Sequence, residues 1–121
     1  VYATKPSFIL KIDFDLEKDI DLSDKDKLII YRNIINCIGN TNAKQCHKIE
    51  IVSQKSIRDK IMTYLLIQKN NKQSNSFNIS FDRDQLANYL CVNRSVLSHE
   101  LSLMQQEGII KFKKNHFEIL K

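Results

Sequence analysis

Tryptophan is missing from this chain, and turn-forming residues are scarce, with one proline and two glycines in 121 residues. So few punctuating residues leave room for long helices and few tight loops. Two glycines cannot build a phosphate-cradling nucleotide loop. The three cysteines, Cys37, Cys46 and Cys91, are odd in number and never spaced C-x-x-C. That pattern argues against a disulfide framework, a zinc site or an iron–sulfur site, and it fits the reducing cytoplasm. No run approaches the ~18 apolar residues of a membrane span, and no basic-then-apolar leader is present, so no membrane partner is expected. The sequence holds no G-x-S-x-G, no H-E-x-x-H and no Cys/His pair at useful spacing. Neither a catalytic nor a metal-ligating residue can therefore be named, and an enzyme is not expected. The chain opens on Val1 rather than Met, which reads as a fragment or processed product of a longer protein.

Basic charge is present in excess, and it is unevenly placed. The net charge is +5. Residues 1–26 hold four Lys against seven Asp or Glu, whereas residues 27–121 hold 15 basic and 7 acidic residues. A basic body suits an anionic partner such as nucleic acid.

The stretch most suited to such a partner is Val92–Gln106. Leu97, Leu101 and Met104 recur at i, i+4, i+7 and form one apolar stripe. Arg94, Ser95, Ser98, His99 and Ser102 form another face, without the Lys/Glu pairs of an idle solvated helix. Upstream, Asp82–Leu90 reads as a shorter helix with Leu86, Ala87 and Leu90 inward and Asp82/Gln85 as a capping box. Two short helices across a tight turn form a helix-turn-helix pattern, the rival being an ordinary helical hairpin.

The remainder can be read in order. Phe8–Phe14 alternates like a strand, and a lone strand needs partners from elsewhere. Asp13–Asp26 is an acidic connector. Ser23 or Asp24 can cap a helix from about Lys25 to Val52. Its length of about 28 residues, against a mean of about 11–12, favours a dimer stalk over a helix buried in its own domain. Leu28, Tyr31, Ile35, Ile38, Asn42, Gln45, Ile49 and Val52 step alternately by 3 and 4, as a two-helix seam requires. Asn42 and Gln45 are its polar middle, and a seam Asn can fix register. Ser53–Ser56 interrupts the pattern as a hinge. A helix over Ile57–Lys69 follows, capped by Ser56. Asn70–Ser76 reads as a loop and Phe77–Phe81 as a short strand. Gly108 closes the helix after Gln106. Ile109–Phe112 and His116–Leu120 form a hairpin around Lys113-Lys114-Asn115. Helix, strand, helix-turn-helix and hairpin together make a winged helix.

This order, and above all Phe81–Ile110 (FDRDQLANYLCVNRSVLSHELSLMQQEGII), resembles the C-terminal part of the Crp/Fnr superfamily of bacterial transcription regulators. The supporting stretch is HKIEIVSQKSIRDKIMTYL, residues 47–65, and the versions most similar are those of clostridia and their relatives. The resemblance implies a mainly α fold with a small β component: a long dimerisation helix, then a winged helix-turn-helix domain, preceded by a remnant strand of an effector-binding β-roll. The corresponding divisions are residues 1–22 for the β-roll end and connector, 23–53 for the dimer helix and 54–121 for the DNA-binding domain.

The resemblance also implies roles for residues. The family's capping Ser falls on Asn93, its base-reading Arg on Arg94, the next position, often Glu, on Ser95, and its second frequent Arg on His99. The turn Gly falls on Cys91. Beside these, Ser95, Ser98 and His99 are expected base or phosphate contacts, the rival for Ser98 being a small residue that only allows close approach to the groove. Lys113 and Lys114 at the wing tip are expected phosphate contacts, the rival being a solvated turn. Because Ser95 cannot accept from cytosine as Glu does, the family's best-known operator is not carried over. Implied partners are double-stranded DNA, a second copy through the seam, and RNA polymerase. This fragment implies no cofactor, and the effector of the missing β-roll is unknown. The alternative is a winged helix that docks on protein, which would need an apolar patch on the Ser95–Ser102 face.

Overall fold

The structure is a computed structural model that describes Pro6, Phe8 and residues 23–121. The strand expected over 8–14, apart from Phe8, and the connector up to residue 22 lie outside the described residues. The chain divides into two units, Val1–Gly39 and Asn40–Lys121. Seven elements follow one another: α1 (Asp24–Val52), α2 (Ile57–Lys72), β1 (Ser76–Asn78), α3 (Arg83–Leu90), α4 (Arg94–Gln106), β2 (Ile110–Lys113) and β3 (His116–Ile119). This is a mainly helical chain with a small sheet: a long helix, then a winged helix-turn-helix.

Helix α1 is 29 residues long. Ser23 opens it, its Oγ accepting from the Asp26 N–H at 3.3 Å. Asp24 and Asp26 in the first turn face the positive end of the helix dipole. Most of the alternating 3–4 set is exposed: Leu28, Tyr31, Ile35, Ile38 and Ile49 are large, apolar and open to solvent. In the second unit, the end of α1 takes part in the core through Ile51, a residue outside that set, which is 1 % exposed. A Cβ on Gly39 would meet nothing within 4 Å, and nothing in the structure explains the glycine.

The core of the second unit joins Ile51 to Ile61, Tyr64 and Leu65 of α2, Leu86, Ala87 and Leu90 of α3, and Leu97, Leu101 and Met104 of α4. Phe77, Ile79, Ile110, Phe117 and Ile119 close it from the sheet side. The apolar stripes expected on α2, α3 and α4 are therefore buried, Ile57 only partly. Tyr64, Phe81 and Tyr89 pack together with ring centroids 5.0–6.3 Å apart. Burial, and then Tyr89, pushes the Tyr64 hydroxyl up to about 12, so it stays protonated at neutral pH.

Two boundaries differ from the sequence expectation. Helix α2 runs on to Lys72 instead of ending at Lys69, because Asn70, Asn71 and Lys72 continue it as polar residues on an exposed last turn. The expected strand Phe77–Phe81 is shorter, β1 ending at Asn78. Ile79 still donates to the Asn115 carbonyl at 2.9 Å, but Phe81 turns away into the aromatic cluster. The sheet is antiparallel with order β1-β3-β2. The expected hairpin thus gains a third strand: Phe77 pairs with Phe117, and Phe112 pairs with Phe117 on the other side.

Three helices end alike. At each end, two N–H groups reach back to the last free carbonyls around one residue of positive φ. Gly108 (φ 69) donates to Gln105 and Ile109 to Met104 after α4. Gln73 (φ 51) and Ser74 do the same after α2, and Cys91 (φ 54) and Val92 after α3. The turn of the helix-turn-helix is therefore left-handed although its residue is Cys91 and not glycine. Both Cys91→Gly and Cys91→Ala remove the thiol, so their difference isolates the backbone. Cys91→Gly should be more stable than Cys91→Ala by about 0.5–1 kcal/mol, the left-handed strain of a Cβ less the chain entropy of glycine. Urea unfolding of the two variants measures it.

Candidate nucleic-acid interface

The interface is built on α4. Asn93 holds extended backbone (φ −72, ψ 139) and its Oδ1 accepts from the Ser95 N–H at 2.9 Å and the Ser95 hydroxyl at 2.7 Å. It is the cap that the sequence suggested. With Leu97, Leu101 and Met104 anchored in the core, the opposite face must point outward. Asn93, Arg94, Ser95, His99 and Ser102 are exposed on it and Ser98 is half-buried. The Ser102 hydroxyl turns back to the Ser98 carbonyl at 2.9 Å, which occupies its proton and leaves its oxygen as an acceptor.

Arg94 has a partner. Its Nε lies 3.2 Å from Oδ1 of Asp84 on α3, both side chains being about two-thirds exposed. An ion pair so exposed is worth at most about 1 kcal/mol and is easily exchanged. Arg83, beside Asp84, lies over the rings of Phe112 (5.2 Å) and Phe117 (5.9 Å). Burial, and then the charge on Arg94, lowers its pKa. Two guanidinium groups thus share one region with the Asp84 carboxylate. The sequence reading passed over both Arg83 and Asp84. Their position next to the cap Asp82 was the available signal.

The wing follows from α4. The Phe112 N–H donates to Gln105 Oε1 at 3.0 Å, tying β2 to the helix. Lys111, Lys113 and Lys114 are exposed, and Lys113 lies opposite His116 in the hairpin. Lys114 takes a left-handed conformation (φ 55) at the tip.

A third group is less visible in the sequence. Arg58, on the first turn of α2, places Nε 2.6 Å from Glu100 Oε1. Its two terminal nitrogens lie 2.7 and 2.8 Å from the two oxygens of Glu107. Glu100 is on α4 and Glu107 caps its C-terminal end. The hydrogen bonds to Arg58 hold the Glu107 carboxyl below the usual carboxylate range. The clamp's contribution is thus present above the ordinary carboxylate pKa and is lost as pH falls through the lowered one. Sequence separations of 42 and 49 residues gave no local cue to this cluster.

Among the described residues no cluster of His, Cys, Asp or Glu could hold a metal, and no helix is long and apolar enough to cross a membrane.

A capped, outward-facing second helix packed across a left-handed turn on a first helix, with a β-hairpin behind it, defines a winged helix-turn-helix protein. Residues 59–121 match the Crp-like helix-turn-helix domain, and the chain belongs to that family. Its structure is similar to that of a Crp/Fnr-family transcriptional regulator from Eubacterium rectale, with a TM-score of 0.53 at 25 % sequence identity. The similarity covers 74 % of this chain and 41 % of that one, so the chain spans less than half the length of this relative. No curated protein matches the chain.

Removing the Asn93 cap leaves the first turn of α4 without its side-chain acceptor. Asn93→Ala should lower unfolding free energy by about 1 kcal/mol, and Asn93→Ser by much less. Thermal or urea unfolding checks both.

Proposed function

We propose that this chain is the C-terminal part of a sequence-specific transcription regulator that binds double-stranded DNA as a homodimer. The observation that carries the reading is the exposed polar face of α4, opened by Asn93 and Arg94, on a Crp-like winged helix-turn-helix. Arg94 reads a base edge, since its planar fork matches guanine O6 and N7. Asn93, Ser95, Ser98 and His99 line the groove, and Lys113 and Lys114 hold phosphates. Breaking the weak Asp84 pair frees the Arg94 guanidinium at small cost. Docking on protein would call for an apolar patch on this face, and Ser95, Ser98, His99 and Ser102 do not supply one.

The dimer rests on α1. Its exposed residues Leu28, Tyr31, Ile35, Ile38 and Ile49, with Asn42, Gln45 and Val52, are the seam, and two copies would cover what one leaves open. The division is then residues 1–22 for the effector-domain end, 23–53 for the stalk and 54–121 for the DNA-binding domain. In the full-length protein an effector held by the N-terminal domain would bias the stalk between two states and so set the spacing of the two α4 helices. Those helices would enter successive major grooves about 34 Å apart. The setting is the bacterial cytoplasm, in a regulator of clostridial type with RNA polymerase as a further partner, and no catalytic step belongs to it.

Two experiments test the reading. The first is a gel shift with salt titration, on a site selected from random DNA by the wild-type chain. Affinity should fall steeply with salt. Arg94→Ala should cost about 1–3 kcal/mol on that site and relax one base preference per half-site. An equal loss on random DNA would make Arg94 a phosphate contact only. The second is sedimentation of Ile38→Glu, which should be monomeric at low micromolar concentration where wild type is dimeric. A dimeric variant would sink the seam.

A further inference from the structure

We propose that Arg58 is a positioning residue for base reading: its fork sets the angle at which α4 presents Arg94, Ser95 and His99. The inference rests on the DNA-binding reading above.

The apolar anchors of α4 fix its depth but not its direction. Leu97, Leu101 and Met104 are held by burial, which is non-directional and tolerates small rotations and slides. Arg58 adds what burial lacks. It contacts α4 at Glu100 and again at Glu107, seven residues and about 10 Å apart along the axis. One contact fixes a point on the helix, whereas two carboxylates rooted seven residues apart and converging on one planar group also restrict rotation about that point. The bonds are short, 2.6–2.8 Å, and the pair with Glu107 is bidentate. That is the geometry in which a guanidinium gives orientation as well as attraction and a lysine cannot.

The other end of the clamp is equally telling. Arg58 is the second residue of α2, directly after the Ser53–Ser56 turn that follows α1. The start of α2 is itself fixed, Ser56 Oγ accepting from the Asp59 N–H at 3.0 Å. The same arginine therefore ties the recognition helix to the first turn fed by α1. Arg58 lies on a flank of α4, since at 100° each Glu100 and Glu107 fall about 120–140° from Ser95 and about 80–100° from His99. It acts on DNA through α4 and not by touching it.

The test uses the whole chain, the selected site and random duplex DNA. Arg58→Lys keeps the charge and loses the fork, and Glu107→Gln keeps the shape and loses the charge. Neither touches the buried core, and far-ultraviolet circular dichroism confirms that each is folded at the assay temperature. Both variants should bind random DNA as wild type does, with the same salt slope. Both should lose about tenfold or more on the selected site, the scale of one misplaced base contact. Amide shifts along α4 should move in both variants without DNA. An unchanged ratio of selected to random affinity in the folded variants overturns the proposal. So does an equal loss on both DNAs, which would place the effect on general DNA binding and not on base reading. Wild type failing to bind DNA at all would instead remove the reading on which the proposal stands.

Discussion

Burial of one stripe of α4 is the constraint on which the rest depends. Leu97, Leu101 and Met104 are fully enclosed, and a helix has only one such side to give. Once they are committed, Ser95, His99 and Ser102 have nowhere to go but outward. The polar face is therefore a consequence of the core, not a separate feature. Losing one of those side chains to alanine would empty a closely packed site and cost about 2–5 kcal/mol, a large share of the stability of a domain this small.

Around that anchor, polar contacts decide orientation. Left-handed turns at Cys91 and Gly108 bracket α4 and set where the chain enters and leaves. Asn93 caps its start, Gln105 ties its end to the wing, and Arg58 ties its flank to α2. Each is modest alone. Together they restrict a helix that apolar packing would leave free to roll, which matters for any surface that must match a groove to within a fraction of an ångström.

Helix α1 is divided by burial along its circumference. Near its C-terminal end, Ile51 enters the core, and Lys48 lies over the Tyr89 ring at 4.2 Å, its ammonium 3.7 Å from the Cys91 sulfur. A different stripe, with Ile35, Ile38 and Ile49 all more than 60 % exposed, faces outward. Steps of 3 and 4 residues keep the two stripes apart because each residue advances about 100°. One helix thus packs into the core through Ile51 and leaves a separate apolar stripe exposed.

What the sequence determined by itself was local and periodic. The apolar stripes of α2, α3 and α4, the caps Ser56, Asp82 and Asn93, the closure at Gly108 and the hairpin at Lys114 are all set within a few residues, where spacing and side-chain chemistry suffice. The left-handed turn at Cys91 was harder to read because it lacks its usual glycine. Only the tertiary structure decided the rest. Ile51, outside the 3–4 set, enters the core with residues of α2, α3 and α4. β1 joins β3 as the outer strand, and Phe81 leaves the strand for Tyr64 and Tyr89. Asp84 meets Arg94, Arg83 meets the wing rings, and Arg58 gathers Glu100 and Glu107. The physical reason is common to them all: charged and aromatic groups choose partners by distance in space, and no periodicity along the chain encodes a contact between residues 42 or 49 positions apart.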